Sequence, residues 1–263
     1  MKKIVVLLLV FVLGMMMFGC NSTSNQGKVG EIKAAGKLVV FTDPNFPPFE
    51  FRTGEEIKGV DIEIAKLIAA ELGVELDVQA SSFEGLLMSI ESNAGDMAIS
   101  GFTITEERQK SVDFSDPYIK SIQYLILPTD SELATMEDLA GKKIGVAKGY
   151  TGFIIIDDEI RDGVLQDTGA SFDIYPSAAD AALDLNGGRI DAVVMDELVA
   201  KSIAAQDDGL QAVPLNYENG DPVDENYGIA IAKGNEDLVE VINSVLAKIT
   251  PEQMQAWIEE FTE

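Results

Sequence analysis

The chain has 263 residues, 46% of them hydrophobic, a formal net charge of -26 at pH 7, no His and a single Cys at position 20. So acidic a surface argues against nucleic acid or an anionic lipid layer as a partner. Without His or a second Cys, a Ser-His-Asp triad, a Cys-His pair and a His or Cys zinc site are all impossible, and neither metal nor cofactor is expected.

Lys2 and Lys3 precede an apolar run over residues 4–18, which Gly19-Cys20 closes. The run is shorter than the ~20 residues of a spanning helix and has the layout of a secretory signal. A small residue before a lone Cys at the end of such a run resembles the bacterial lipoprotein signal, which implies lipid on Cys20 as the mature first residue. Met17 and Phe18 depart from that pattern, and an ordinary signal peptide or an uncleaved anchor are the alternatives. Residues 21–27 read as a polar tether. Removing residues 1–19 leaves 244 residues and a charge of -28, enough for two domains at roughly 150 residues each.

The first predicted strand, residues 37–42, runs into Asp43-Pro44-Asn45-Phe46-Pro47-Pro48-Phe49, a loop stiffened by three prolines. It holds Asp43 and Phe46 at a strand's C-terminal end, where open α/β sheets bind ligands; a turn residue and a core plug are the plainer readings. Asp61 begins a helix with the stripe Ile64, Leu67, Ile68 and Leu72, closed by Gly73. Val74, Leu76 and Val78 alternate as a strand. Ser81 and Glu84 have capping-box spacing for a helix through Ile90, and Asp96 leads into a strand at Met97. A similar unit recurs: Ser177 and Asp180 open a helix, Gly187-Gly188 end it, and Asp191 leads into a strand over residues 192–195.

The first of these units runs out at Ser100 and the second at Asp196. After Ser100, Thr105 caps a helix whose first turn holds Glu106, Glu107 and Arg108. The dipole opposes a cation there. Arg108 therefore reads either as a guanidinium that holds an anion such as a carboxylate, or as a surface ion pair with Glu106, Glu107 or Asp113. With Arg108 in one lobe and Asp196 in the other, a ligand carrying both a carboxylate and an ammonium would join them.

Residues 119–127 read as a strand crossing to the second lobe, Thr135 and Asp138 as the caps of a short helix, and residues 143–147 as a strand. Gly149-Tyr150-Thr151-Gly152 follows, lacking the spacing of a phosphate loop, before a helix at Phe153. Asp157-Asp158-Glu159 reads as a solvated helix face rather than a calcium loop. Residues 210–214 form the last strand of the second lobe, and residues 227–231 a strand back in the first. Residues 235–249 are amphipathic, and Thr250 caps a final helix packed by Met254 and Trp257.

Five segments together resemble the family 3 extracellular solute-binding proteins, the polar amino-acid receptors of ABC importers. They are Phe-Thr-Asp-Pro-Asn-Phe-Pro-Pro-Phe-Glu-Phe at 41–51, Gly-Val-Asp-Ile-Glu-Ile-Ala at 59–65, Gly-Phe-Thr-Ile-Thr-Glu-Glu-Arg at 101–108, Asp-Phe-Ser-Asp-Pro-Tyr at 113–118 and Asp-Ala-Val-Val-Met-Asp at 191–196. The resemblance implies an α/β, two-lobed periplasmic-binding-protein-like fold of type II, with two crossing strands and a hinge motion. Its expected divisions are a signal at 1–19, a lipidated tether at 20–28, lobe 1 at 29–122 plus 226–263, and lobe 2 at 123–225. It further implies that Arg108 binds an α-carboxylate with help from Gly101, Thr103 and Thr151, that Asp196 binds the α-ammonium, and that Phe46 and Phe83 flank the ligand. Ala147 and Met195 stand where glutamine-binding members carry polar contacts, which counts against glutamine.

The resulting expectation is a monomeric, lipid-anchored, extracytoplasmic receptor that delivers an amino acid to an ABC permease. Asp43 would face the ligand's side chain, with Phe46, Phe83, Ala147 and Met195 as apolar walls, which favours a cationic side chain. Glutamine, cystine or another neutral polar amino acid stays open. A dehydratase-like enzyme on the same scaffold and an extracytoplasmic sensor are the competing functions.

Overall fold

The computed structural model describes residues 27–262; the signal segment, Cys20 and most of the expected tether lie outside the described residues. Helix α1 (Gly27–Ala35) already belongs to the folded body, because Lys28 pairs with Asp96 at 2.8 Å and the Val29 N–H donates to Asp237 at 2.9 Å. Residues 27 and 28, expected at the end of the tether, are thus part of this helix.

Strand β1 (Lys37–Thr42) buries Leu38 and Val40 completely. The Pro-rich stretch after it is not only loop: β2 (Asn45–Phe46) pairs with β3 (Glu50–Thr53), and β3 with β4 (Glu56–Lys58), in a small antiparallel sheet. Helix α2 (Val60–Leu72) follows. Its N-cap, Gly59, has φ +132°, and a Cβ there would come within 2.0 Å of the Phe49 carbonyl oxygen. Burial of Ile64 and Ile68 on its inner face contributes roughly 1.5–3 kcal/mol each. The remaining elements of the first half are β5 (Glu75–Ala80), α3 (Phe83–Glu91), β6 (Met97–Ala98), α4 (Glu106–Ser111), β7 (Val112–Phe114) and β8 (Ile119–Pro128).

Helix α3 corrects the capping-box expectation. Its N-cap is Ser82, neither Ser81 nor Ser82 caps it by side chain, and the Phe83 N–H donates instead to Asp43 at 3.0 Å. The box at Thr135 and Asp138 does form in both directions but closes only a 3-10 turn, Glu137–Leu139. Then come β9 (Lys143–Ala147), α5 (Thr151–Asp162), β10 (Ser171–Tyr175), α6 (Ala178–Asn186), β11 (Ala192–Asp196), α7 (Glu197–Ala204) and β12 (Leu210–Pro214). Ser177 caps α6 by accepting from the Asp180 N–H, as the spacing predicts. The chain ends with β13 (Asp224–Tyr227), β14 (Ala230–Ala232), α8 (Glu236–Leu246) and α9 (Pro251–Thr262). Tyr227 thus belongs to a crossing strand rather than to the lobe 1 strand in which the sequence places it.

Two lobes result. The first holds the sheet β5-β1-β6-β14-β7, and the second the sheet β10-β9-β11-β8-β12. Between them β8 and β13 form an antiparallel ribbon, with Ile119 opposite Tyr227 and Ile122 opposite Asp224. The rest of β8 pairs with β11 and β12. The ribbon carries the chain into lobe 2 and back, and the expected boundaries after residues 122 and 225 fall inside it. The C-terminal ends of β1, β6, β9 and β11 lead to the seam between the lobes, the edge where open α/β sheets hold ligands. No described helix is long and apolar enough to cross a membrane.

Candidate functional site

Arg108 lies in the first turn of α4, its N–H donating to Thr105 Oγ1 at 3.2 Å. Its side chain turns inward instead of pairing with its neighbours: Glu107 is taken by Lys110 and Asp113 by Lys233. The guanidinium is buried, donating through Nη1 to the Thr103 carbonyl at 2.7 Å and through Nη2 to the Gly149 carbonyl of lobe 2 at 3.0 Å. It also lies over the rings of Phe102 and Phe83, at 4.6 and 5.3 Å. Burial pushes its pKa down to about 10, against the pull of Glu225 and Asp196. Few surface ion pairs look like this; a buried cation with its charge only partly answered does.

The answering acids reach the seam from lobe 2 and from the ribbon. Asp196, at the end of β11, accepts from Gln123 Nε2 at 2.7 Å and from the Tyr227 hydroxyl. Glu225, on β13, accepts from Thr103 Oγ1 at 3.3 Å, and Thr103 accepts from Thr151 Oγ1 at 2.9 Å. Burial raises both carboxyls, Glu225 well above the usual range because Asp196 adds its own charge. Glu225 Oε2 and Gln123 Oε1 are buried acceptors without a donor. A group bringing N–H donors and positive charge would satisfy both.

The second cluster is aromatic. Phe46 and Phe83 of lobe 1 face Tyr150 of lobe 2, with ring centroids 5.5 and 4.2 Å away. Gly101, at φ +50°, lets the Phe46 ring approach: a Cβ would lie 2.2 Å from its nearest carbon. The Gly101 N–H donates to Asp61 at 2.8 Å, so only its carbonyl is left to face the seam. Asp43 is buried and does not stand open as a side-chain reader. Asn45 Nδ2 donates to one oxygen at 2.6 Å, and the Phe83 N–H and Tyr150 hydroxyl to the other, at 3.0 and 3.2 Å. Burial still raises its pKa.

Behind these residues lies a buried acidic network. Ser100 Oγ donates to Glu50 at 2.6 Å, and the Tyr118 hydroxyl to Asp61 at 3.0 Å. Burial lifts the Asp61 pKa to about 6 and that of Glu50 well above its usual range. Met195 is buried in β11, on the strand face opposite Val194 and Asp196, and groups with Val193 and Ala200. Asp157 and Asp158 pair with Arg161, as a solvated face would, and no metal-holding group of acids occurs among the described residues.

The seam thus joins Arg108, Thr103, Thr151 and Asp196 in one polar cluster, and Asp43, Phe46 and Phe83 in a neighbouring aromatic one. Sequence reasoning missed Glu225, Gln123 and Tyr150. For Glu225 a signal existed: Val223, Glu225 and Tyr227 alternate with polar residues, and an acid at a buried position of period two is a candidate for function.

Two α/β lobes meeting over a guanidinium, paired acids and aromatic rings define a two-lobed solute-binding protein. The chain belongs to the bacterial extracellular solute-binding proteins, family 3, whose sequence model matches residues 38–262. It is 32% identical over 232 residues to the L-cystine-binding protein TcyJ of Escherichia coli (strain K12), covering 87% of this chain and 83% of TcyJ. It is 29% identical over 250 residues to the arginine-binding extracellular protein ArtP of Bacillus subtilis (strain 168), covering 95% and 93%. Among solved structures, AbpA of Streptococcus pneumoniae, an amino acid ABC transporter substrate-binding protein bound to L-arginine, has a TM-score of 0.78 at 36% identity, over 88% of this chain and 96% of AbpA. A variant of ArgBP from T. maritima has a TM-score of 0.78 at 38% identity, over 89% and 98%. The family and these relatives are binding proteins, and so is this chain; it is not an enzyme.

Proposed function

We propose that the protein is an extracytoplasmic receptor that binds a polar L-amino acid between its lobes and delivers it to an ABC importer permease. The carrying observation is the meeting of Arg108 from lobe 1 with Asp196 from lobe 2 and Glu225 from the ribbon. A zwitterion answers both ends at once: its α-carboxylate replaces the carbonyls on Arg108, and its α-ammonium supplies the donors that Glu225 and Gln123 lack and a charge for Asp196 to answer. Gly101 and Thr103 line the same end through lobe 1, Thr151 closes from lobe 2 at the N-terminus of α5, and Phe46 and Phe83 provide apolar walls, whereas Met195, on the other face of β11 from Asp196, does not. Lobes 29–122 plus 226–263 and 123–225 close as bodies about the β8–β13 ribbon. The receptor acts as a monomer held to the cell membrane by lipid on Cys20 after removal of residues 1–19.

The names of the relatives favour the cationic and polar amino acids, since they bind arginine, cystine and histidine. The test is calorimetric titration of protein refolded from denaturant with the proteinogenic amino acids plus ornithine and cystine. Binding of at least one is expected, together with its loss for the decarboxylated and deaminated analogues of that ligand. A ligand that keeps its affinity without either α-group overturns the zwitterion reading.

A further inference from the structure

Tyr150 reaches from lobe 2 into the slot between two aromatic rings of lobe 1. Its ring is stacked on Phe83 with 23° between planes at 4.2 Å, lies 5.5 Å from Phe46, and its hydroxyl donates to Asp43 at 3.2 Å. Phe83, Phe46 and Asp43 are the residues that would flank and read a ligand's side chain. Tyr150 meets them as such a side chain would, with an apolar body between the rings and a polar tip on the acid. Asp43 holds two further donors, the Phe83 N–H and Asn45 Nδ2. Both belong to lobe 1, fixed by the start of α3 and by β2. The Tyr150 hydroxyl is the one donor that leaves with lobe 2 when the seam opens, and the Arg108 contact to the adjacent Gly149 carbonyl leaves with it.

We propose that Tyr150 is the specificity-determining residue of the side-chain pocket, a built-in competitor that holds the ligand-free lobes together and gives up its place to a bound amino acid's side chain. This rests on the amino-acid reading of the seam. A long cationic side chain must evict both ring and hydroxyl before it reaches Asp43, so its affinity is reduced by the share of molecules in which Tyr150 is in place. A short side chain leaves Tyr150 where it is, and the protein discriminates accordingly.

The experiment compares wild type, Tyr150→Ser and Tyr150→Phe, each refolded from denaturant. Small-angle X-ray scattering is recorded without ligand, and calorimetric titrations use L-arginine and L-alanine. Ligand-free Tyr150→Ser should be more open than wild type, and L-arginine should bind it about ten-fold or more tightly with a smaller change for L-alanine. Tyr150→Phe, which keeps the ring and loses only the hydroxyl contact, should fall between. Equal scattering from wild type and Tyr150→Ser, or arginine affinity that is unchanged or lower in Tyr150→Ser, overturns the proposal. Should neither L-arginine nor L-alanine bind any of the three, the scattering comparison by itself decides whether Tyr150 holds the lobes together, and the receptor reading is decided by the wider titration above.

Discussion

The Arg108 guanidinium bridges the seam: Nη2 donates to the Gly149 carbonyl of the opposite lobe at 3.0 Å, while Nη1 stays on the Thr103 carbonyl of its own lobe at 2.7 Å. One planar fork thereby senses whether the lobes are together. Arg108→Ala should lose roughly 2 to 5 kcal/mol of amino-acid binding, about 30-fold or more in affinity. Arg108→Lys should recover only part of this, because an ammonium keeps the charge and loses the fork. Calorimetry with the ligand found for wild type checks both, and wild-type affinity in Arg108→Ala would remove Arg108 from the site.

Glu225 and Asp196 predict a proton released on binding. Burial raises both carboxyls and the charge of Asp196 raises Glu225 further, so the ligand-free pair retains a proton that a lone exposed acid would lose. An arriving ammonium favours the doubly ionised pair and expels that proton, so affinity should fall as pH falls. Titrations in buffers of different ionisation enthalpy should show release of about one proton in wild type and close to none in Glu225→Gln. No release in wild type would mean that the ligand's charge does not reach the pair.

The elements that carry their own periodicity were legible in the sequence. Leu38 and Val40 in β1, the stripe of α2 and the Thr105 cap of α4 depend on residues a few positions apart, and all appear where local rules place them. Failures came where a distant group substitutes for a local one. Ser81 and Glu84 have capping-box spacing, yet Asp43, 40 residues before Phe83, accepts from the Phe83 N–H, and α3 begins there. That bond also changes the account of Asp43, which reads as an open carboxylate in sequence and is occupied by three donors in the fold. Tyr150 escaped for the same reason: it matters through contacts across the seam, and no local spacing encodes which strand ends meet there. Glu225 differs, because its alternation with Val223 and Tyr227 marks it as buried and only its partners across the seam are hidden in the sequence.

Asp61 gives the protein a stability that favours mild acid. Its pKa rises from 3.8 to about 6 on folding, with burial as the leading cause. The folded state therefore binds the proton more tightly than the unfolded chain. The associated stabilisation, on the order of 3 kcal/mol, is fully present below about pH 4 and is lost as pH rises through about 6. Buried Glu50 shifts in the same direction. Urea unfolding should give a lower midpoint at pH 8 than at pH 5, with the difference reduced in Asp61→Asn. A wild-type midpoint that climbs steadily across that range contradicts the buried-acid account.

Anchoring is tested at Cys20. Bacterial lipoproteins carry several acyl chains on one modified Cys, and stable retention needs more than one chain. Cys20→Ser should release the protein into the medium or leave an uncleaved precursor. Detergent-dependent membrane association that persists in a correctly cleaved Cys20→Ser protein would sink the lipid-anchor proposal.

Gly101 offers a test of how tightly the aromatic slot is built. Its φ of +50° lies in the left-handed region, and an added Cβ would stand 2.2 Å from the Phe46 ring. Phe46 is buried and leans on Phe49, Tyr150 and Tyr227, so its ring cannot retreat without disturbing three others. The Gly101 N–H is also tied to Asp61, which fixes the backbone from the other side. Gly101→Ala combines left-handed strain with a clash and should cost roughly 1 to 3 kcal/mol of stability. Phe46→Leu added to Gly101→Ala makes room for the methyl group, so the double variant should lose less than the two single losses summed. Urea unfolding of the four proteins measures that coupling. Strict additivity would show that the Gly101 methyl is accommodated by a backbone shift instead, leaving the Phe46 ring in place.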